Sequence, residues 1–257
     1  TTVTLYVSED SLEFLDGYKI REILVKYCSF LPYEVYLEDL SEKKDEKDDK
    51  GDKKEELKPI NDTHPLWLKN PKDCTEEEYK GLYRKVFRDF EDPLFWIHLN
   101  MDYPFNLKGI LYFPRLKNEF GAIEGQIKLY YNQVFVADNI KEVIPEFLML
   151  LKGTIDCPDL PLNVSRSFLQ NDGYVQKLSA HITKKVADKL TSLYETEREN
   201  YNKYWDDINP FVKFGCIREQ KFYDRVKDII IFKTTNGDYV TLKDYLDRNK
   251  EKHKNKV

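Results

Sequence analysis

Residues 145–170 read Pro145-Glu146-Phe147-Leu148-Met149-Leu150-Leu151-Lys152-Gly153-Thr154-Ile155-Asp156-Cys157-Pro158-Asp159-Leu160-Pro161-Leu162-Asn163-Val164-Ser165-Arg166-Ser167-Phe168-Leu169-Gln170. The last eleven place one arginine on a polar turn between an extended apolar segment and a helix. A guanidinium is planar and permanently charged, so Arg166 there can grip two phosphate oxygens at once. Gln170 lies four residues on and shares its face if the turn becomes helical. Taken alone, an arginine after Asn-Val-Ser reads as a solvated surface charge. Asp156 and Asp159 flank Pro158, and that spacing reads as turn formers rather than as a catalytic carboxylate pair.

Working outward, Thr2 to Val7 alternates like a strand, and Leu12, Leu15, Ile20, Ile23, Leu24 and Tyr27 recur at helical spacing over about five turns. Val35 to Leu37 reads as a short strand. Ser41 to Leu57 is almost wholly Lys, Asp and Glu. It has too little apolar surface to offset its ordering entropy, which predicts a mobile linker. Thr75 with Glu78 three residues on predicts a capping box, followed by a helix with the stripe Tyr79, Leu82, Tyr83, Val86 and Phe90. Phe95 to Met101, Leu107 to Phe113 and Ile127 to Ala137 read as strands, and Val143 to Leu151 as a helix. A long helix follows the arginine turn, marked by Val175, Leu178, Ile182, Val186, Leu190 and Leu193. Tyr201 to Phe214 and Glu219 to Ile230 are further helical stretches. Asn236-Gly237 is a tight-turn signal, and Thr241 with Asp244 starts a last helix. Mixed strands and helices followed mostly by helices predict an α/β sandwich and then a helical bundle.

Composition narrows the function. At 257 residues with 41% hydrophobic and 34% charged residues, the chain suits a soluble globular protein. A net charge of −5 argues against nucleic acid as a partner. The four cysteines form no CxxC pair, so no zinc site is expected and a reducing cytosol is. No apolar run is long enough to span a bilayer. There is no phosphate-binding glycine loop, no H-E-x-x-H and no G-x-S-x-G elbow, so the chain carries no self-contained catalytic site of those kinds.

Further stretches fall in a recognisable order: Thr2-Val3-Thr4-Leu5-Tyr6 with Glu13-Phe14-Leu15, Pro65-Leu66-Trp67-Leu68-Lys69-Asn70-Pro71, Asp89-Phe90-Glu91-Asp92-Pro93-Leu94 and Gly109-Ile110-Leu111-Tyr112-Phe113-Pro114. With residues 145–170 they resemble the middle segment of the ninety-kilodalton heat-shock chaperones, of the bacterial HtpG type, over nearly the whole chain. The resemblance implies an α+β fold: the ribosomal-protein-like α/β sandwich of the GHKL ATPase superfamily, then a small helical bundle. It assigns residues 1–40 to the last strand and helix of an ATP-binding domain, 41–57 to a charged flexible linker, 58–172 to the middle-domain sandwich, and 173–257 to the bundle and the start of the next subdomain. On that footing the sequence looks like a piece of a longer protein.

The same resemblance implies the site. ATP and Mg would be held mainly by the preceding domain. Arg166 falls on the arginine that reaches the γ-phosphate when the two domains dock, with Gln170 working beside it. Asn163 and Ser165 would support the loop through local backbone hydrogen bonds. Ser167 departs from the acidic residue common in the family. Trp67 matches a tryptophan used toward client proteins, as an exposed indole or, equally, as a packing residue at the domain edge. Phe120 and Ile123 stand where the family has an amphipathic client loop, here without its proline. The expected partners are client proteins, the protein's own ATP-binding domain and, in full length, a second copy through a C-terminal domain. The expected place is the cytoplasm, and the chain alone should not turn over ATP. Two alternatives remain: a transducer domain of a related GHKL ATPase, which would use a lysine at the phosphate, and an independent protein-interaction module.

Overall fold

The computed structural model describes residues 1–40, 57–115, 126–139, 143–160 and 173–253. The expected linker lies outside the described residues apart from Leu57. Outside them too are Phe120 and Ile123, and the whole of Asn163, Ser165, Arg166 and Gln170.

A five-stranded mixed sheet organises the molecule, in the order β1-β2-β5-β3-β4. β1 is Phe95–Met101, β2 Leu107–Phe113, β3 Gln126–Tyr131, β4 Val134–Asp138 and β5 Lys152–Asp156. β5 is antiparallel to β2 and parallel to β3. Gly153 sits opposite Leu111, where a Cβ would fall 2.7 Å from the Ile110 carbonyl oxygen. Glycine thus permits the close approach of the two inner strands.

Both faces of the sheet are covered, and strand alternation sorts the core in two. Leu107, Leu111 and Phe113 of β2 join Ile127, Leu129 and Ile155 beneath three helices: α3 (Gly173–Thr196), α4 (Arg198–Arg218) and α5 (Gln220–Val226). Ile110 and Tyr112 point the other way, with Tyr130 and Phe135, under Trp67 and α2 (Glu76–Phe87). The helices expected after the arginine turn therefore form one layer of the sandwich. α1 (Gly17–Cys28) ends beside Phe30, which packs into the second core.

Caps explain where several elements begin. Thr75 Oγ1 accepts from the Glu78 amide at 3.3 Å, and the Glu78 carboxylate accepts from the Thr75 amide at 2.8 Å. Thr241 and Asp244 make the same reciprocal pair at 3.0 and 2.9 Å, starting α6 (Leu242–His253). Gly237, at φ 88°, turns the short hairpin of β6 (Ile231–Lys233) and β7 (Tyr239–Thr241). α4 contains Pro210, which has no N–H to give the Asp206 carbonyl. The neighbouring Asn209 amide nitrogen donates to that carbonyl at 3.1 Å and to Trp205 O at 3.0 Å.

Five expectations are corrected. Residues 2–7 form no strand; Val3, Leu5 and Tyr6 are 78%, 83% and 95% exposed. Among the described residues no strand pairs with them, and a lone strand leaves its backbone groups unpaired. The expected first helix is broken at Asp16, which accepts from the Tyr18 amide and caps α1 after a 3-10 turn over Glu9–Leu15. Val35–Leu37 is irregular, tied instead to residues 60 and 61 by the Ile60 amide and the Asn61 side chain. Residues 127–137 are two strands, because Asn132 and Gln133 both take positive φ and reverse the chain. The helix expected at 143–151 is only a 3-10 turn, Glu146–Leu150, ahead of β5.

Trp67 lies at the centre of the second core, with no exposed surface. Its ring meets Phe30 edge-on at 4.5 Å and Tyr130 at 5.3 Å. Trp67→Ala should destabilise the chain by roughly 3–5 kcal/mol, read as a lowered urea midpoint. A loss under about 1 kcal/mol would mean that the indole is not the core residue described.

Candidate functional site

The candidate site is built on β5 and the segments at its two ends. Residues 152, 154 and 156 face the α2 side of the sheet, by the two-residue period of a strand. Lys152 and Asp156 therefore point into the same layer from opposite ends.

At the far end, Asp156 is buried. Its Oδ2 accepts from the Gln133 amide at 3.0 Å and from Trp67 Nε1 at 3.4 Å. Burial pushes the carboxyl up, against the pull of those hydrogen bonds. The chain then runs through buried Cys157 and Leu160. Burial pushes the Cys157 thiol up to about 11, so it is no reactive nucleophile. Asp159 accepts from the Asn106 amide at 3.1 Å, the turn-fastening role read from the sequence. α3 starts at Gly173 and enters the core at Val175. Residues 161–172 lie outside the described residues; on either side of them Leu160 and Val175 are buried.

The Trp67 expectation needs correction here. Of the two readings of Trp67, the exposed one fails and the packing one fits, because the ring is enclosed and its N–H is spent on Asp156. Phe90 is the aromatic residue that sequence reasoning misplaced. Its spacing from Val86 fits a helix, but α2 ends at Phe87, where Arg88 turns left-handed at φ 51°. Phe90 is left 99% exposed. The usable signal was Pro93, which pushes Asp92 out of the helical region and so puts Phe90 within reach of the helix end.

Phe90 is held out by bonds on both sides. Asp89 accepts from Lys152 Nζ at 2.7 Å and from the Tyr83 hydroxyl at 3.0 Å. Asp92 Oδ1 accepts from Arg84 Nε and Nη2 at 2.9 and 2.6 Å. Burial alone would raise the Asp89 carboxyl, but Lys152, the Glu91 amide and Tyr83 together hold it well below the usual carboxylate range. Lys152 also lies over the Tyr83 and Phe87 rings. Among the described residues no group of His, Cys, Asp and Glu could hold a metal ion, and no helix is long and apolar enough to cross a membrane.

A five-stranded mixed sheet covered on both faces by helices and 3-10 turns defines an α+β fold. Comparison with known sequences gives the class its family. The family described as Hsp90 protein matches residues 38–256, and the chain belongs to it. A chaperone protein HtpG of Bacteroides fragilis strain YCH46 is 42% identical, over 100% of this chain and 38% of its own length. One from Porphyromonas gingivalis is 45% identical over 95% of this chain and 35% of its own. One from Desulfitobacterium hafniense is 30% identical over 98% and 39%. The chain thus spans less than two fifths of these relatives.

The Asp89 carboxylate has a pH consequence. Its folded pKa is depressed, so its stabilisation is present above the unfolded value near 4 and fades as pH falls through the folded one. Asp89→Asn should cost about 2 kcal/mol at neutral pH, as for a charge-assisted hydrogen bond. In acid titrations of urea stability, the gap from the parent should narrow below about pH 4. A gap independent of pH would remove the ionised Asp89–Lys152 pair from the account.

Proposed function

We propose that this chain is the middle segment of an ATP-dependent chaperone, together with the end of its ATP-binding domain. On this reading residues 1–40 close that domain, 41–57 link it onward, 58–172 form the middle-domain sandwich and 173–257 the helices that follow. The work of the full-length protein would be ATP-driven binding and release of unfolded or partly folded clients in the cytoplasm, as a dimer joined outside this chain. The observation that carries the reading is family membership over residues 38–256. The ordered match of the arginine segment to its expected place supports it.

ATP and Mg would be held mainly by the preceding domain, and ATP supplies the phosphoanhydride that is cleaved. Arg166 would neutralise the terminal phosphate through its planar fork, with Gln170 beside it, as an arginine supplied in cis. Asn163 and Ser165 would hold the segment by bonds to its own backbone. The burial of Cys157, Leu160 and Val175 on either flank supports a segment presented from fixed ends. In the full-length protein Arg166→Ala should cut ATP turnover roughly a thousandfold. ATP affinity should hardly change, and Arg166→Lys should restore only part of the loss. Turnover of Arg166→Ala within twofold of the parent would return Arg166 to an ordinary surface charge.

For client contact, Phe120 and Ile123 stay with the family's amphipathic loop. Phe90 takes the exposed aromatic role first given to Trp67. A large apolar ring held out by two ion pairs loses little freedom on binding. Phe90→Ala should weaken capture of an unfolded client several-fold in the full-length protein, by anisotropy of a labelled client, with the urea midpoint unchanged. Unchanged capture would exclude Phe90 as a contact.

A further inference from the structure

A cleft of about 650 Å³ opens between α1, the end of α2 and β3. Five of its lining side chains are basic, Arg21, Lys26, Lys85, Arg88 and Lys128, against one acid, Glu22. In a chain of net charge −5, a lining of this sign is the reverse of what composition supplies. Two of the cations have partners: Lys85 lies 3.9 Å from Asp62, and Lys128 lies 3.1 Å from Asp138. Among the described residues, no ion pair at 4.0 Å or less takes up Arg21, Lys26 or Arg88.

The floor has the opposite character. Phe30 and Tyr130 are buried there, ring centres 5.5 Å apart. Val25 is 39% exposed and Tyr18 is 70% exposed beside them. The cleft therefore combines an apolar floor with a cationic rim. A single inorganic anion would fill a small part of the volume and find nothing on the floor. A nucleic acid backbone would meet Glu22 inside and the carboxylates of Asp62 and Asp138 beside the lining lysines. A peptide chain satisfies both halves at once, with carboxylates for the rim and one large apolar side chain for the floor.

We propose that this cleft binds an acidic peptide segment of another protein. Carboxylates of the segment pair with Arg21, Lys26 and Arg88, and one aromatic or large aliphatic side chain lies over Phe30, Tyr130 and Val25. None of these lining residues belongs to the arginine segment, and the test does not depend on ATP.

The probe is a short fluorescein-labelled peptide of aspartate and glutamate around one tryptophan, titrated with the 257-residue chain by anisotropy. It should bind at least roughly tenfold tighter than the same peptide with lysines for its acids, and more weakly as salt rises. The double substitution Arg21→Glu with Arg88→Glu should weaken it by about tenfold or more. All three exposed side chains, Arg21, Lys26 and Arg88, leave the core untouched, so the urea midpoint should hold. If the double variant unfolds, Arg21→Gln with Arg88→Gln keeps the test, with a smaller loss in the same direction. Replacing the peptide's tryptophan by alanine should cost several-fold, which ion exchange alone would not. Equal binding by the parent and both double variants would overturn the proposal. So would indifference to the peptide's tryptophan, or tighter binding of a single-stranded DNA of equal charge.

Discussion

β5 is hydrogen-bonded on both edges, to β2 and to β3, and without it the sheet falls into two hairpins. Everything else follows from that double pairing. A strand with both edges occupied can be covered on both faces without stranding backbone groups. Its alternation then supplies Ile155 to the helical side and Lys152, Thr154 and Asp156 to the α2 side. The three side chains it turns to that layer are all polar, and the layer answers with Asp89 at one end and Trp67 at the other. The ends of one five-residue strand, about 13 Å apart, thereby tie down the Phe90 loop on one side and Trp67 on the other.

What the sequence made legible tracks local chemistry. β1 and β2 read correctly from alternation, and α2 and α6 from reciprocal caps. The long helix α3 read correctly because its stripe, Val175 to Leu193, runs through about five turns without a competing signal. Residues 126–138 misled because their hydrophobic pattern continues across the turn, and the reversal rests on Asn132 and Gln133 adopting left-handed backbone. Lys152–Asp156 carries only one β-branched pair, Thr154-Ile155, and its identity as a strand comes from neighbours remote in sequence.

The site shows the same division. The arginine segment is contiguous, so it stands out in the sequence as a motif, but its residues lie outside the described structure. The Asp89–Lys152 and Trp67–Asp156 contacts join positions 63 and 89 residues apart, and no period in the chain announces them. The burial of Trp67 could not be separated from exposure by residue type, because an indole with a polar handle serves either place. It is the carboxylate of Asp156 that decides, by giving the N–H a buried partner.

The Asn209–Pro210 step gives α4 a different sort of property. The proline deletes one rung of the backbone ladder, and the asparagine side chain takes over that rung from outside. A rung made by a rotatable side chain can lengthen or swing without orphaning a carbonyl. Below the step, Tyr201, Trp205 and Ile208 are buried; above it, Phe211 packs on Phe113 and Phe147. The ladder of α4 is therefore weakest at this step. A displacement of its N-terminal half can be absorbed as bending at one compliant point, leaving the aromatic contact with the sheet in register.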